Sequence, residues 1–311
     1  MNNKIRVGVV GVGYLGRFHA LIYSKMPQVK LVGVMDQNID RAKAIAKEAN
    51  CYVFTKNQDL IDAIDAVSIV VPTSAHFEVA HPFLEQGIHT LLEKPIAATY
   101  HEGKDLVALA AANETMLQIG HLERFNPGII ALAQRIKQPR FIETQRMGGF
   151  LERVADVDVV VDLMIHDIDI ILSLITKPLI NITAVGTPVL TTQIDIANAR
   201  LEFANGTVAN VVASRVSEDK LRRIRVFQPQ EYLSLDMVEQ TLDSAVPEPN
   251  PKQQWPDIRR ERIQLPTAKP LDAELAAFID AIGHKQVPLV NGEAGLKALE
   301  IALQVREKIL C

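Results

Sequence analysis

The sequence predicts an α/β chain in which a doubly wound parallel sheet is followed by an α+β domain built on an open, mainly antiparallel sheet. Three observations carry this prediction. An apolar run from Ile5 ends in Gly11-x-Gly13-x-x-Gly16 and continues through Ala20, Leu21 and Ile22 into a second apolar run that stops at Asp36. Short apolar runs then alternate with helical stretches to about residue 120, the pattern of a parallel sheet covered on both faces. From Ile180 the texture becomes short alternating runs separated by turn residues. At 311 residues the chain exceeds what one core usually supports, so two domains are expected, residues 1–120 and 121–311.

The first unit is the strand–helix–strand of a dinucleotide site. Gly11 permits the tight turn, Gly13 lets the backbone approach a pyrophosphate, and Gly16 lets the helix lie close to the strand. Tyr14 and Leu15 complete the loop, and amides at the helix N-terminus hold the anion. Asp36 stands where a carboxylate accepts hydrogen bonds from the adenosine ribose. The same charge repels a 2′-phosphate, which favours NAD; Arg41 nearby leaves NADP open.

The next elements follow from local pattern. Arg41 to Asn50 reads as a helix, Tyr52 to Thr55 as a short strand, and Ala66 to Val71 as a buried strand ending in Pro72-Thr73-Ser74. His76 to Gln86 is a helix closed by Gly87, and Ile88 to Leu92 is a strand ending in Glu93-Lys94-Pro95. Thr99 and Glu102 form a capping box that opens a helix to about Asn113, and Met116 to Gly120 completes the sheet.

Beyond it, Asn126-Pro127 starts a helix to Ile136, with Asn as cap and Pro at the first helical position. Phe141 to Met147 reads as a strand and residues 156–175 as a long apolar helix. Strands follow at Ile182–Val185, Ala199–Phe203, Val208–Ser214, Arg223–Phe227, Tyr232–Asp236 and Arg260–Leu265, with Asn205-Gly206 as a hairpin turn. Residues 244–257 hold four prolines and read as a surface loop, with Trp255 as a packing anchor. Glu274–Ile282 and Glu293–Leu310 are amphipathic helices expected to return to the first domain.

Composition excludes several classes. A formal charge of −4 and a pI near 6.1 lack the basic excess of a nucleic-acid binder. Cys51 and Cys311 make neither a disulfide framework nor a metal site. The N-terminal apolar run is broken by glycines and lacks a charged lead, and no stretch is long enough to span a bilayer. The expectation is a soluble protein of a reducing compartment, the cytoplasm, with no metal and no membrane partner.

Two constellations carry chemistry. Lys94 stands at the carboxyl end of a strand, where open α/β sheets bind ligands, and Pro95 stiffens the backbone that aims it. Asp162 and His166 lie one helical turn apart, with Asp169 one step further along the same face. A buried imidazole beside a carboxylate reads either as a satisfied pair or as a general base, His166, oriented by Asp162. The spacing would suit a metal, but no further His or Cys cluster supports one. His19 reads as a helix-surface residue.

The glycine loop, Asp36, Pro72-Thr73 with His76, Glu93-Lys94-Pro95, and Asp162 with His166 together resemble the glucose-fructose oxidoreductase, inositol dehydrogenase and MocA superfamily over essentially the whole chain. The resemblance implies NAD-dependent oxidation of a secondary alcohol on a sugar or cyclitol. His166 would be the base, Lys94 would stabilise the oxygen, and Pro72, Thr73, His76, Glu93 and Lys94 would lie at the cofactor. Gly120-His121-Leu122-Glu123-Arg124-Phe125-Asn126-Pro127 and the run from Asp156 to Asp169 further resemble the UDP-N-acetylglucosamine 3-dehydrogenase subgroup. That implies a sugar-nucleotide substrate facing Arg124 and Asn126, a 3-keto product used for a 3-amino sugar of lipid A, and a homodimer or homotetramer. Arg146, Arg153, Arg222, Arg223 and Arg225 are the available diphosphate partners. A free sugar, inositol or dihydrodiol would keep the chemistry with another substrate, and a redox sensor without turnover would need no proton-transfer pair.

Overall fold

A computed structural model of the chain describes residues 4–150, 157–267 and 269–310. The elements of the first half are β1 (Ile5–Val10), α1 (Tyr14–Tyr23), β2 (Val29–Met35), α2 (Ile39–Ala49), β3 (Tyr52–Phe54), α3 (Asn57–Ile61), β4 (Ala66–Ile69), α4 (His76–Glu85), β5 (His89–Glu93), α5 (Tyr100–Ala112) and β6 (Leu117–Gly120). Then come α6 (Pro127–Arg135), β7 (Phe141–Met147) and α7 (Ile165–Leu174). Strands β8 (Leu179–Thr187), β9 (Ile196–Phe203), β10 (Val208–Ser214), β11 (Leu221–Gln228), β12 (Glu231–Asp236), β13 (Thr241–Glu248) and β14 (Asp257–Gln264) follow. Helices α8 (Pro270–His284) and α9 (Gly292–Leu310) end the chain.

Two compact units result: residues 1–122 with 270–299, and residues 123–269 with 300–311. The first holds a six-stranded parallel sheet in the order β3-β2-β1-β4-β5-β6. Strands β1, β4, β5 and β6 are largely buried on both faces, which is why they read as continuous apolar runs rather than alternating ones. Tyr23 of α1 and Leu275 and Phe278 of α8 join Val7, Val9, Val34 and Leu91 in one core, so a helix distant in sequence completes the cover over the sheet. The capping box of α5 forms as expected: Glu102 N–H donates to Thr99 Oγ1, and Thr99 N–H donates to Glu102 Oε2.

The second unit holds an eight-stranded sheet, β14-β13-β12-β11-β7-β10-β9-β8, antiparallel except where β10 pairs parallel with β7. Gly206, at φ +79, turns the hairpin between β9 and β10.

Several expectations are corrected. Residues 244–248, the start of the expected proline-rich loop, belong to β13, with Pro247 paired opposite Ile258 of β14 near the strand's end, where a missing N–H matters least. Trp255 is 73% exposed and anchors no core. His19 is fully buried, not on a helix surface, because its ring faces the sheet, with Nδ1 2.8 Å from Ser68 Oγ of β4 and Nε2 3.5 Å from Glu93 Oε1 of β5. The apolar helix opens not as α-helix but with a π turn at Val160–Met164 before α7; its expected start, like Arg153 and Cys311, lies outside the described residues.

Candidate functional site

The glycine loop separates fold from ligand contact, residue by residue. Gly11 sits at φ +82, and a Cβ there would strike the carbonyl of Val70. A Cβ on Gly16 would collide with the Gly11 carbonyl, so this glycine is required for α1 to approach the loop. A Cβ on Gly13 would meet nothing, since the position faces open space. Gly13 is also the N-cap of α1 and brings no capping side chain, leaving the helix end to an outside acceptor. Tyr14 is 74% exposed and Leu15 half-buried.

The loop and Asp36 are one structure. Val12 N–H donates to Asp36 Oδ2 at 2.8 Å, and Asn38 N–H donates to Oδ1 at 2.8 Å. Arg41 then closes on the same carboxylate through Nε (3.1 Å) and Nη2 (2.8 Å). Burial raises the Asp36 pKa, but the Arg41 guanidinium and the two amides outweigh it and hold the carboxyl below its ordinary value. These bonds and residues fit the ribose and pyrophosphate of a dinucleotide.

At the end of β5, Lys94 is half-buried and the Lys94–Pro95 peptide is cis. His76 lies within hydrogen-bond distance of two backbone carbonyls, Pro95 O at 2.7 Å from Nδ1 and Val71 O at 3.0 Å from Nε2. It clamps the loop after β4, which contains Pro72 and Thr73, to the loop bearing Lys94. A neutral ring donates to one of these carbonyls and only contacts the other. Burial lowers its pKa, since an imidazolium loses hydration there. Glu93 faces inward: it is 7% exposed, lies against Gly120, and its Oε1 is 3.5 Å from His19 Nε2. No spacing in the sequence joins His19 to Glu93.

In the second unit, Asp158 starts the helical segment by accepting from Val160 N–H (2.9 Å) and Val161 N–H (3.0 Å). Arg215 Nη1 donates to the Val157 carbonyl just before it. Both positioning residues escaped the sequence reading; an Asp three residues before the apolar Val161 was the one available signal. Asp162 lies in the π turn and His166 near the start of α7, both half-buried. A π turn carries an extra residue, so the face expected to hold Asp169 as well is split. Asp169 is buried and pairs with Arg124 at 3.4 Å.

Asn126 is a buried cap whose Oδ1 accepts from Gly128 N–H and whose Nδ2 donates to Glu123, so the helix-start account explains its side chain. The diphosphate candidates are engaged too. Arg146 is buried against Asp167 and Glu123, Arg222 lies 3.4 Å from Glu123, Arg223 pairs with Asp236, and Arg225 pairs with Glu143. Burial opposes the Arg146 charge, but Asp167 and Glu123 outweigh it and lift its pKa above the ordinary guanidinium value. Among the described residues no group of three or more His, Cys, Asp or Glu is placed to hold a metal ion, and no helix is long and apolar enough to cross a membrane.

A doubly wound sheet in the 3-2-1-4-5-6 order, with its glycine loop bonded to the acidic residue after β2, defines a dinucleotide-binding oxidoreductase fold. The family model described as "Oxidoreductase family, NAD-binding Rossmann fold" matches residues 5–121, and the "GFO/IDH/MocA C-terminal domain" matches residues 133–230. The chain is 40% identical over 303 residues to the UDP-N-acetylglucosamine 3-dehydrogenase of Acidithiobacillus ferrooxidans, covering 97% of this chain and 96% of that one. A solved structure of that enzyme superimposes with a TM-score of 0.93 at 39% identity, covering 98% of this chain and 97% of that one. The scyllo-inositol dehydrogenase of Lactobacillus casei, solved with NAD(H) and scyllo-inositol, shares the fold at 22% identity and a TM-score of 0.83, covering 99% and 97%. This chain belongs to the GFO/IDH/MocA family of oxidoreductases, and its first unit is that family's NAD-binding Rossmann domain.

Proposed function

We propose that the protein is an NAD-dependent dehydrogenase that oxidises the 3-hydroxyl of UDP-N-acetylglucosamine to the 3-keto sugar nucleotide. The observation that carries this reading is the 40% identity, over nearly the full length of both chains, to the enzyme of that name. In the cytoplasm, as a homodimer or homotetramer, such an enzyme would supply an aminotransferase on the way to a 3-amino sugar of lipid A.

When bound, NAD supplies a hydride acceptor at C4 of its nicotinamide; the protein supplies the rest. Gly13 and the first turn of α1 would hold the pyrophosphate, with Gly11 and Gly16 giving the turn and the close helix approach that place them, and Asp36 would hold the ribose. His166 takes the proton of the substrate hydroxyl, with Asp162 orienting the ring. Lys94 stabilises the negative charge that builds on that oxygen as the hydride leaves carbon. His76 acts on the reaction through the backbone, by fixing the Pro95 carbonyl beside Lys94. Arg124, 15% exposed at the side chain and tied to Asp169, is the second-unit cation assigned to the substrate.

Formation of reduced nicotinamide from NAD and UDP-N-acetylglucosamine, with a ketone trap or an aminotransferase pulling the reaction forward, tests the assignment. Turnover with inositols or free sugars, and no thermal shift with any uridine nucleotide, would replace the substrate and keep the chemistry.

Two expected results concern the cofactor. Gly13→Ala keeps the melting temperature, because its methyl enters open space, yet weakens NAD about tenfold, roughly 1.4 kcal/mol. Gly16→Ala loses about 3 kcal/mol of stability, since the methyl must displace the Gly11 carbonyl. Thermal melts and NAD titrations of both variants separate the two roles; equal melting temperatures would overturn this account. Arg41→Ala should bind NAD up to about fivefold more tightly at low salt, because the ribose no longer competes with Arg41, itself 48% exposed, for the buried Asp36 side chain. The gain shrinks as added salt screens that pair. Weaker NAD binding by this variant would show that Arg41 holds the cofactor instead.

A further inference from the structure

The mechanism above leaves unused a buried ion pair in the second unit, at the end of β9 and β10 and against the turn that carries Asp162. The two strands pair antiparallel as far as Ile196 opposite Ser214. The next residues outward, Asp195 and Arg215, stay face to face, with Arg215 N–H donating to the Asp195 carbonyl at 3.0 Å. Alternation along the strands puts both side chains on the face that Ala197, Ala199, Val211 and Ala213 bury, so charge takes the last core position of that face. Asp195 is 0% exposed and Arg215 2% exposed. The arginine Nε donates to Asp195 Oδ1 at 2.7 Å.

Each partner also holds backbone. Asp195 Oδ2 accepts from the N–H groups of Val189 (2.8 Å), Leu190 (2.6 Å) and Thr191 (2.8 Å), and Oδ1 accepts from the Thr191 hydroxyl at 2.8 Å. One carboxylate therefore folds the β8–β9 loop around itself. Arg215 Nη1 donates to the Val157 carbonyl, and Val159 N–H donates at 2.9 Å to the carbonyl of Ile194, the residue before Asp195. The peptide groups on either side of Asp158 are thus fixed from outside their own helix. From Asp158 the hold passes on: its side chain accepts from Val160 and Val161 N–H, and its carbonyl accepts from Asp162 N–H at 3.0 Å. A π turn is a rare winding set by its surroundings, and here the ends of β9 and β10 supply them. An apolar pair would fill the same core position at no loss of stability, but it could neither accept the loop amides nor hold the Val157 carbonyl.

We propose that Asp195 is a positioning residue for the dehydrogenase: through Arg215 and the loop 188–194 it fixes the turn that presents Asp162 and, just beyond it, His166. The role rests on the reading of those two residues as the proton-transfer pair. Asp195→Asn keeps an acceptor oxygen for the loop and removes the charge that holds Arg215. The turn then starts from a backbone that is free to shift, and Asp162 no longer meets the imidazole in one fixed geometry.

Two measurements test it. Amide hydrogen exchange of residues 157–166, followed by mass spectrometry with neither NAD nor sugar present, should become about tenfold or more faster in Asp195→Asn, with β11 and β12 exchanging as before. Unchanged exchange in that segment would overturn the proposal, whatever the substrate. With NAD and UDP-N-acetylglucosamine, kcat should fall about tenfold while KM and NAD affinity stay within about twofold. In an Asp162→Asn background the same change should cost less than about twofold, because the group being positioned is already gone. Equal losses in both backgrounds would mark a general weakening of the unit and overturn the positioning role. Thr191→Val, which takes one hydroxyl from the same carboxylate, should show the same pattern at about two- to threefold, and it replaces Asp195→Asn if that variant does not fold. If the protein oxidises a polyol and no uridine sugar, the substrate assignment fails, while the exchange result and the same kinetic comparison on that polyol still decide the role of Asp195.

Discussion

Replacing His166 with alanine should lower kcat by about 10²- to 10⁴-fold while leaving NAD affinity nearly unchanged. The proton of the substrate hydroxyl must leave as the hydride does, and a methyl group cannot accept it. Because the interaction is made in the transition state, kcat and kcat/KM should fall together, which steady-state kinetics with saturating NAD will show. Lys94→Met should lose about 10²- to 10³-fold, the scale of removing one donor to a developing oxyanion. Asp162→Asn should lose less, because it orients the ring rather than accepting the proton. The π turn that carries Asp162 gives this ranking its structural basis: it sets Asp162 and His166 half-exposed while the acidic residues beyond them, Asp167 and Asp169, are buried in ion pairs. Retained turnover in both His166→Ala and Lys94→Met would reject the proposed chemistry. A rise in KM with kcat unchanged would make these residues binding groups.

Legibility in the sequence followed the distance over which each interaction acts. The strand–loop–helix ending at Asp36, the Thr99–Glu102 capping box and the Asn126-Pro127 helix start are short-range, and each was readable from a few neighbouring residues. The π turn was not readable, because Val159 to Met164 has the apolar character of any buried helix and its winding is decided by packing. His19 was misjudged for a related reason: its surroundings are made by Ser68 and Glu93, which only the fold brings near. Pro247 misled in the opposite direction, since proline marks loops on average but is tolerated near the end of β13. The ion pairs of Arg146, Arg223 and Arg225 were equally hidden, because a guanidinium is visible in sequence and its carboxylate partner is not.

Arg146 is where that distinction has its largest stability consequence. Its guanidinium donates through Nε (2.9 Å) and Nη2 (3.0 Å) to Asp167 and through Nη1 (2.9 Å) to Glu123. All three residues are buried, so Arg146→Met leaves two carboxylates in the interior with Arg222, 3.4 Å from Glu123, as their nearest compensation. Removing one partner from such a group costs about 3–5 kcal/mol, because the orphaned charge keeps its desolvation penalty after its attraction is gone. Denaturant unfolding should show this loss in the transition of the second unit, with the first unit unfolding as before; the two-unit chain makes separate probes necessary. Adding Asp167→Asn to Arg146→Met should recover part of the loss, since an amide is cheaper to bury than an unpaired carboxylate. Asp167→Asn by itself should destabilise, because Arg146 then loses its bidentate acceptor. If Arg146→Met were neutral and Asp167→Asn gave no rescue, the buried triad would be a consequence of packing. The second unit would then owe its stability to its apolar sheet face, with Ile142, Ala199, Leu201 and Val211 as the residues to test next.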